Sequence, residues 1–257
     1  MKACLKPLLL SLAALAPVAA QANTCPRDVA VSSVSVDRSP VIGGTENFNL
    51  TLNFSTPVPQ GCSHFYGLFF NPATAIAAGG GMPNIQRLGN GQSSLTTSRK
   101  GRGVDQPTTV IISAKGSNQA TAATTTIQVL PPPLVGMTVS STSVAAKSSV
   151  IGKVEIGGGS GGFEGTVTIN LSASPAGLVK LPEFVSVGDE ITALGNNRFT
   201  EHFRSFTITP VSTVVRPTQV TITATRLGVS FSRVITLQPP SPILVQPVTP
   251  PKPIIRP

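Results

Sequence analysis

The sequence predicts an all-β chain of two domains that share one fold, and three observations carry that reading. A hairpin pattern occurs twice, its residues alternate with period two, and turn residues stand where long helical patterns would otherwise run. The pattern covers 106–130, QPTTVIISAKGSNQATAATTTIQVL, and returns over 216–237 as RPTQVTITATRLGVSFSRVITL. Both copies open on Pro-Thr, alternate, reverse near a Gly, alternate again and run into consecutive prolines. Val110, Ile112 and Ala114 share one face; Val220, Ile222 and Ala224 take the same places in the second copy, with Thr221, Thr223 and Thr225 opposite. One face is expected to be buried and the other wet. Repetition about 110 residues apart divides the 257 residues into two domains of ordinary size, each able to bury a core.

Composition supports this. Forty percent of the residues are apolar and only 11% are charged, which excludes a disordered, solvating chain. The 24 Gly and 24 Pro read as punctuation between short strands. At the start, Lys2 and Lys6 precede an apolar run over 8–16 and the small-residue site Ala20-Gln21-Ala22, so 1–22 is expected to be a secretory leader and the mature chain to begin at Asn23. The run is too short to span a bilayer, and no transmembrane segment is expected in the mature chain. Export makes a disulfide favourable: with Cys4 removed in the leader, Cys25 and Cys62 are the cysteines left to pair.

The first domain is assigned to 23–130 and the second to 136–238. Domain one opens with Val29, Val31, Val34 and Val36, turns near Ser39-Pro40 and reaches Val41-Ile42-Gly43-Gly44. Its clearest strand follows, where Phe48, Leu50, Leu52 and Phe54 alternate with Asn49, Thr51, Asn53 and Ser55. Domain two is read as repeating that strand at 167–172, with Val150-Ile151-Gly152 repeating Val41-Ile42-Gly43. Between these anchors the halves diverge. Phe65, Tyr66, Phe69 and Phe70 form either a core strand with its rim or an exposed aromatic platform; in domain two, Phe199, Phe203, Phe206 and Ile208 are expected in the core. A linker is placed at 131–135, stiffened by Pro131-Pro132-Pro133. The Pro-rich tail 239–257 can hold neither strand nor helix and is read as a disordered end or an extended partner-contacting arm.

Several of these segments together, the Val-x-Gly turn, Thr166 to Leu171, LPEFVSV over 181–187, Phe206-Thr207-Ile208-Thr209 and the TxVTITA hairpin, resemble the bacterial Ig-like repeats of secreted and surface proteins over nearly all of 26–238. The resemblance implies two tandem Ig-like antiparallel β-sandwiches joined by a short Pro-rich linker. It also implies adhesive, spacer or ligand-presenting work at the cell envelope, with no catalytic residues and no cofactor. Antibody-type hallmarks are missing, because there is no Trp, a single Tyr and no cysteine pair in domain two. The same scarcity of aromatics argues against a membrane β-barrel, which uses aromatic girdles.

Catalytic chemistry is not expected. Gly158-Gly159-Ser160-Gly161-Gly162 fits a nucleophile elbow, with Asp189 and His202 following in hydrolase order, but the next element is a strand where the elbow needs a helix. Glu183, Asp189, Glu190 and Glu201 offer carboxylate pairs without a sugar platform. His64 and His202 stand one to a domain, so no metal cluster is expected. What folding explains least is Arg99-Lys100-Gly101-Arg102, with Arg87 upstream: a basic turn that would either stay solvated or hold an anionic polysaccharide or envelope surface. Nucleic acid is excluded as a partner by export and by the lack of interleaved aromatics. An envelope protein is the other partner considered, and the chain is placed in the periplasm, on the surface or in the medium.

Overall fold

The computed structural model describes residues 25, 29–59, 62, 64–77, 86–88, 91–116, 119–145, 148–158, 163–188, 202–211 and 213–240. The leader expected at 1–22 and all of the tail beyond residue 240 lie outside the described residues, as do Ser160, Asp189, Glu190, Phe199 and Glu201. The N-terminal sandwich contains β1 (Val31–Val36), β2 (Val41–Ile42), β3 (Asn47–Phe54), β4 (His64–Asn71), β5 (Ile76–Ala77), β6 (Gln86–Leu88), β7 (Ser94–Gly101), β8 (Thr108–Gly116) and β9 (Ala123–Leu130). The C-terminal sandwich contains β10 (Leu134–Val139), β11 (Ser143–Val144), β12 (Val150–Ile156), β13 (Thr166–Ser174), β14 (Val179–Lys180), β15 (Phe184–Gly188), β16 (Phe203–Pro210), β17 (Thr218–Arg226) and β18 (Val229–Leu237).

Strand order is the same in both. One sheet runs β1-β3-β7-β5 and its counterpart β10-β12-β16-β14; the other runs β2-β9-β8-β4-β6 and its counterpart β11-β18-β17-β13-β15. All pairs are antiparallel except β2 with β9 and β11 with β18. Period-two alternation does the work of folding: Phe48, Leu50, Leu52 and Phe54 point into the N-terminal core with Val110, Ile112 and Ala114, while Asn49 and Asn53 stay exposed. Val220, Ile222 and Ala224 fill the second core with Ile169, Ile208 and Ile235.

The repeated hairpin is therefore β8 with β9 and β17 with β18, in matching sheet positions. The other expected match is corrected. By sheet position, β3 corresponds to β12, whereas 167–172 lies in β13, the counterpart of β4. Val150-Ile151-Gly152 opens β12 and so does not correspond to β2. Alternating Thr, Asn and Ser on a wet face is common to half-buried strands, so likeness of such runs does not fix which strand is which. The linker is also shorter than expected, because Leu134 and Val135 already belong to β10. Through 62–106, where the two halves diverge in sequence, the strand order is nevertheless that of the partner half. There Tyr66 is buried, Phe70 packs against the core, and Phe65 and Phe69 face solvent, so the aromatic run is divided between core and surface.

Candidate functional site

The most developed polar and steric arrangement in the described residues lies where the two sandwiches meet. It is built by the end of β17 and by two connections, one between β7 and β8 and one between β12 and β13. Along β17, Val220, Ile222, Ala224 and Arg226 alternate inward, so the strand's parity drives a guanidinium into the joint, where it is only 5% exposed. Its donors are met. Nε donates to the Pro132 carbonyl (3.2 Å), Nη1 to Asp105 Oδ1 (2.7 Å) and to the Thr168 carbonyl (2.8 Å), and Nη2 to the Val104 carbonyl (2.8 Å). One side chain of the C-terminal sandwich thus ties the linker and the N-terminal sandwich to its own sheet.

Asp105 completes the knot. Its carboxylate also accepts the Thr168 backbone N–H at 2.8 Å and the Thr168 hydroxyl at 3.3 Å. Burial pushes the carboxyl upward, but the Thr168 hydrogen bond and the Arg226 guanidinium outweigh it and hold Asp105 below the usual carboxylate range. Beside this pair, Phe163 is fully buried in the C-terminal core. A Cβ on Gly44 or Gly103 of the N-terminal sandwich, or on Gly188 of its own, would overlap the Phe163 ring. Glycines there let the backbone close over the ring. Gly103 N–H donates to the Glu164 carbonyl at 2.5 Å and Glu164 N–H to the Gly44 carbonyl at 3.4 Å, so main chain also crosses the joint.

The basic stretch is not the expected turn. Arg99 and Lys100 lie in β7, half-buried and on opposite faces, and Arg102 follows the strand, also half-buried. Burial lowers the Lys100 pKa, against the raising effect of Glu164 across the joint. Burial likewise lowers that of Arg99. Arg87 is a β6 residue paired in register with Phe65. Arg99 and Lys100, as consecutive strand residues, point to opposite sides of their sheet and share no cationic face.

Cys25 and Cys62 are joined by a disulfide with Cα atoms 5.5 Å apart. His202 packs edge-on to Phe163 at 5.9 Å and His64 lies in β4, one in each sandwich. No cluster of His, Cys, Asp or Glu able to hold a metal occurs among the described residues, and no helix among them is long and apolar enough to cross a membrane. Sequence reasoning passed over Arg226 and Phe163. The available signal was parity: an Arg in the inward register of an apolar strand.

No family model and no curated protein matches the sequence. Among solved structures, the chain is similar to the Yersinia pseudotuberculosis adhesin InvE (13% identity, 80% of this chain and 58% of that one, TM-score 0.44). It is also similar to the Escherichia coli adhesin FdeC (12% identity, 84% and 65%, TM-score 0.36) and to a titin A168–A169 fragment (10%, 82% and 98%, TM-score 0.37). The chain thus spans less than two thirds of either adhesin structure. Strand order, parallel edge pairs and the two separate cores carry the assignment: the chain is a tandem pair of Ig-like antiparallel β-sandwiches.

Proposed function

We propose that the protein is a noncatalytic structural or interaction component of the bacterial envelope, exported after removal of 1–22, in which domains 23–130 and 136–238 act as one stiff adhesive or spacer rod. The observation that supports this reading is the Arg226 knot. Inter-domain contacts are ordinarily loose and permit swing, whereas a nearly buried guanidinium with four hydrogen bonds spanning linker and both sandwiches favours a single orientation. A rod of fixed shape suits a module that holds a partner at a set distance from its attachment.

Two measurements test it. Small-angle scattering of the exported chain should fit one extended conformer, and Arg226→Ala should broaden the distribution of inter-domain distances. Crosslinking in the intact envelope should capture the wild type on a discrete partner and the Arg226→Ala chain less efficiently. Broad swing in the wild type, or crosslinking indifferent to Arg226, would sink the rigid-rod reading.

A further inference from the structure

In the N-terminal sandwich the half-buried Arg99 has no counter-ion among the described residues. Arg99 stands opposite Phe48 in the β3–β7 register, and directly paired antiparallel residues face the same side, so Arg99 points between the sheets as Phe48 does. Its Nη1 is anchored locally, donating to the Thr97 hydroxyl at 3.0 Å and the Ser98 carbonyl at 3.1 Å. That leaves the opposite edge of the guanidinium, where Nε and Nη2 are buried and without a hydrogen-bond partner. On the facing sheet, β4 sends His64 and Tyr66 inward two residues apart; Tyr66 is 2% exposed, and the Tyr66 hydroxyl and His64 Nε2 are likewise buried and unpartnered. Burial pushes the Tyr66 phenol up to about 12, against the pull of the Arg99 charge, so the two side chains sense one another.

Unmet buried donors are expensive, and an unmet guanidinium especially so. The described carboxylates of this sandwich are all engaged elsewhere: Asp37 on Asn49 and Arg38, Glu46 on the Ile42 N–H, and Asp105 on Arg226. The Nε/Nη2 edge presents two parallel N–H donors at the spacing of two oxygens of one oxyanion, which is why Arg forms bidentate pairs with carboxylate and phosphate. His64 and Arg99 are half-buried as whole residues, while the polar atoms left unpartnered are themselves shielded from solvent.

We propose that the N-terminal sandwich carries a site for a small oxyanion, a carboxylate or phosphate group, gripped by the Nε/Nη2 edge of Arg99 with the Tyr66 hydroxyl and His64 Nε2 lining it. This stands apart from the rod reading, since the site lies inside one sandwich and uses none of the joint residues.

Tyr66 is the sole tyrosine and there is no Trp, so intrinsic fluorescence reports on this site alone. The full exported chain is titrated with sodium acetate, succinate and inorganic phosphate at fixed ionic strength, with sodium chloride and N-acetyltyrosinamide as references. A saturable change with at least one oxyanion and none with chloride is expected, and which of the three acts separates carboxylate from phosphate. Arg99→Lys keeps the charge but removes the fork and should weaken the response roughly tenfold or more. Thr97→Val, which frees Nη1, should weaken it less. A linear response equal to that of N-acetyltyrosinamide, an equal response to chloride, or undiminished binding by Arg99→Lys would overturn the proposal. Should Arg99→Lys fail to fold by circular dichroism, the wild-type titration decides alone.

Discussion

The same pole of the two sandwiches has opposite fates. In the C-terminal sandwich it is docked: β17 continues its inward series Val220, Ile222, Ala224 with Arg226, which leaves its own domain to bind Pro132, Val104 and Asp105. In the N-terminal sandwich the matching series Val110, Ile112, Ala114 ends in Gly116, and the pole is closed from within. Gln119 accepts the Gly116 and Val31 N–H groups (3.1 and 2.9 Å) and returns its amide to the Val31 carbonyl (3.0 Å). Nearby, the loop before β4 holds Cys62 in its disulfide, where the loop before β13 holds Phe163. The β17–β18 reversal is a two-residue Leu227-Gly228 turn with both φ positive, the geometry that suits twisted hairpins. One fold thus uses a covalent bond and an internal amide where the pole meets no other sandwich among the described residues, and an aromatic plug and a guanidinium where it meets one.

The largest effect expected from breaking this comparison is at Phe163. Phe163→Ala should cost roughly 3–5 kcal/mol, the range for truncating a fully buried aromatic. Because Tyr66 reports only on the N-terminal sandwich, far-ultraviolet circular dichroism in urea should show an early transition that Tyr66 fluorescence does not share. A simultaneous shift of both signals would mean that the two sandwiches unfold as one unit.

The free pole is probed by replacing Cys25 and Cys62 together with Ser. Loss of the bridge should cost about 3 kcal/mol, seen in the Tyr66 transition and absent from the C-terminal one. Arg226→Met comes next. It removes four hydrogen bonds but leaves Asp105 half-exposed and able to regain water, so about 2 kcal/mol is expected. Protease should then cut sooner between the sandwiches than within them. Unchanged cleavage would show that Phe163 and the glycines alone hold the joint.

How far the sequence reveals all this depends on parity. Where apolar residues recur every second position, as at Phe48 to Phe54 and in the repeated hairpin, burial follows from chemistry and the strands are legible. The mismatch of β3 with β13 shows the limit, since wet-face Thr, Asn and Ser carry no address. The local conformation of the basic stretch was hidden for a related reason. Gly101 suggested a turn, but β7 runs to Gly101, so the glycine ends a strand and Arg99 falls on the inward register opposite Phe48. Arg226 was visible in the same way, as a charge on an apolar face. What no local pattern supplies is the partner: Asp105 lies 121 residues away, and its pairing exists only once both sandwiches have folded.

The smallest effect, and the finest test of the docked pole, is the response of the joint to acid. Asp105 is held below its ordinary value of 3.8, so in the folded chain it keeps its charge to lower pH than when unfolded. The stabilisation it brings is present in full above the ordinary value and is lost as the pH falls through the depressed one. Half of the Asp105 side chain is exposed, so solvent weakens the pair and the loss should be smaller than that caused by Arg226→Met. A double-mutant cycle of Asp105→Asn and Arg226→Met isolates their interaction. At pH 7 a favourable coupling is expected; repeated below the depressed value, where the wild-type carboxyl is itself neutral, the coupling should shrink towards that of a neutral hydrogen bond. A coupling of the same size at both pH values would mean that Arg226 is held by the Pro132, Val104 and Thr168 carbonyls and that Asp105 merely caps Thr168.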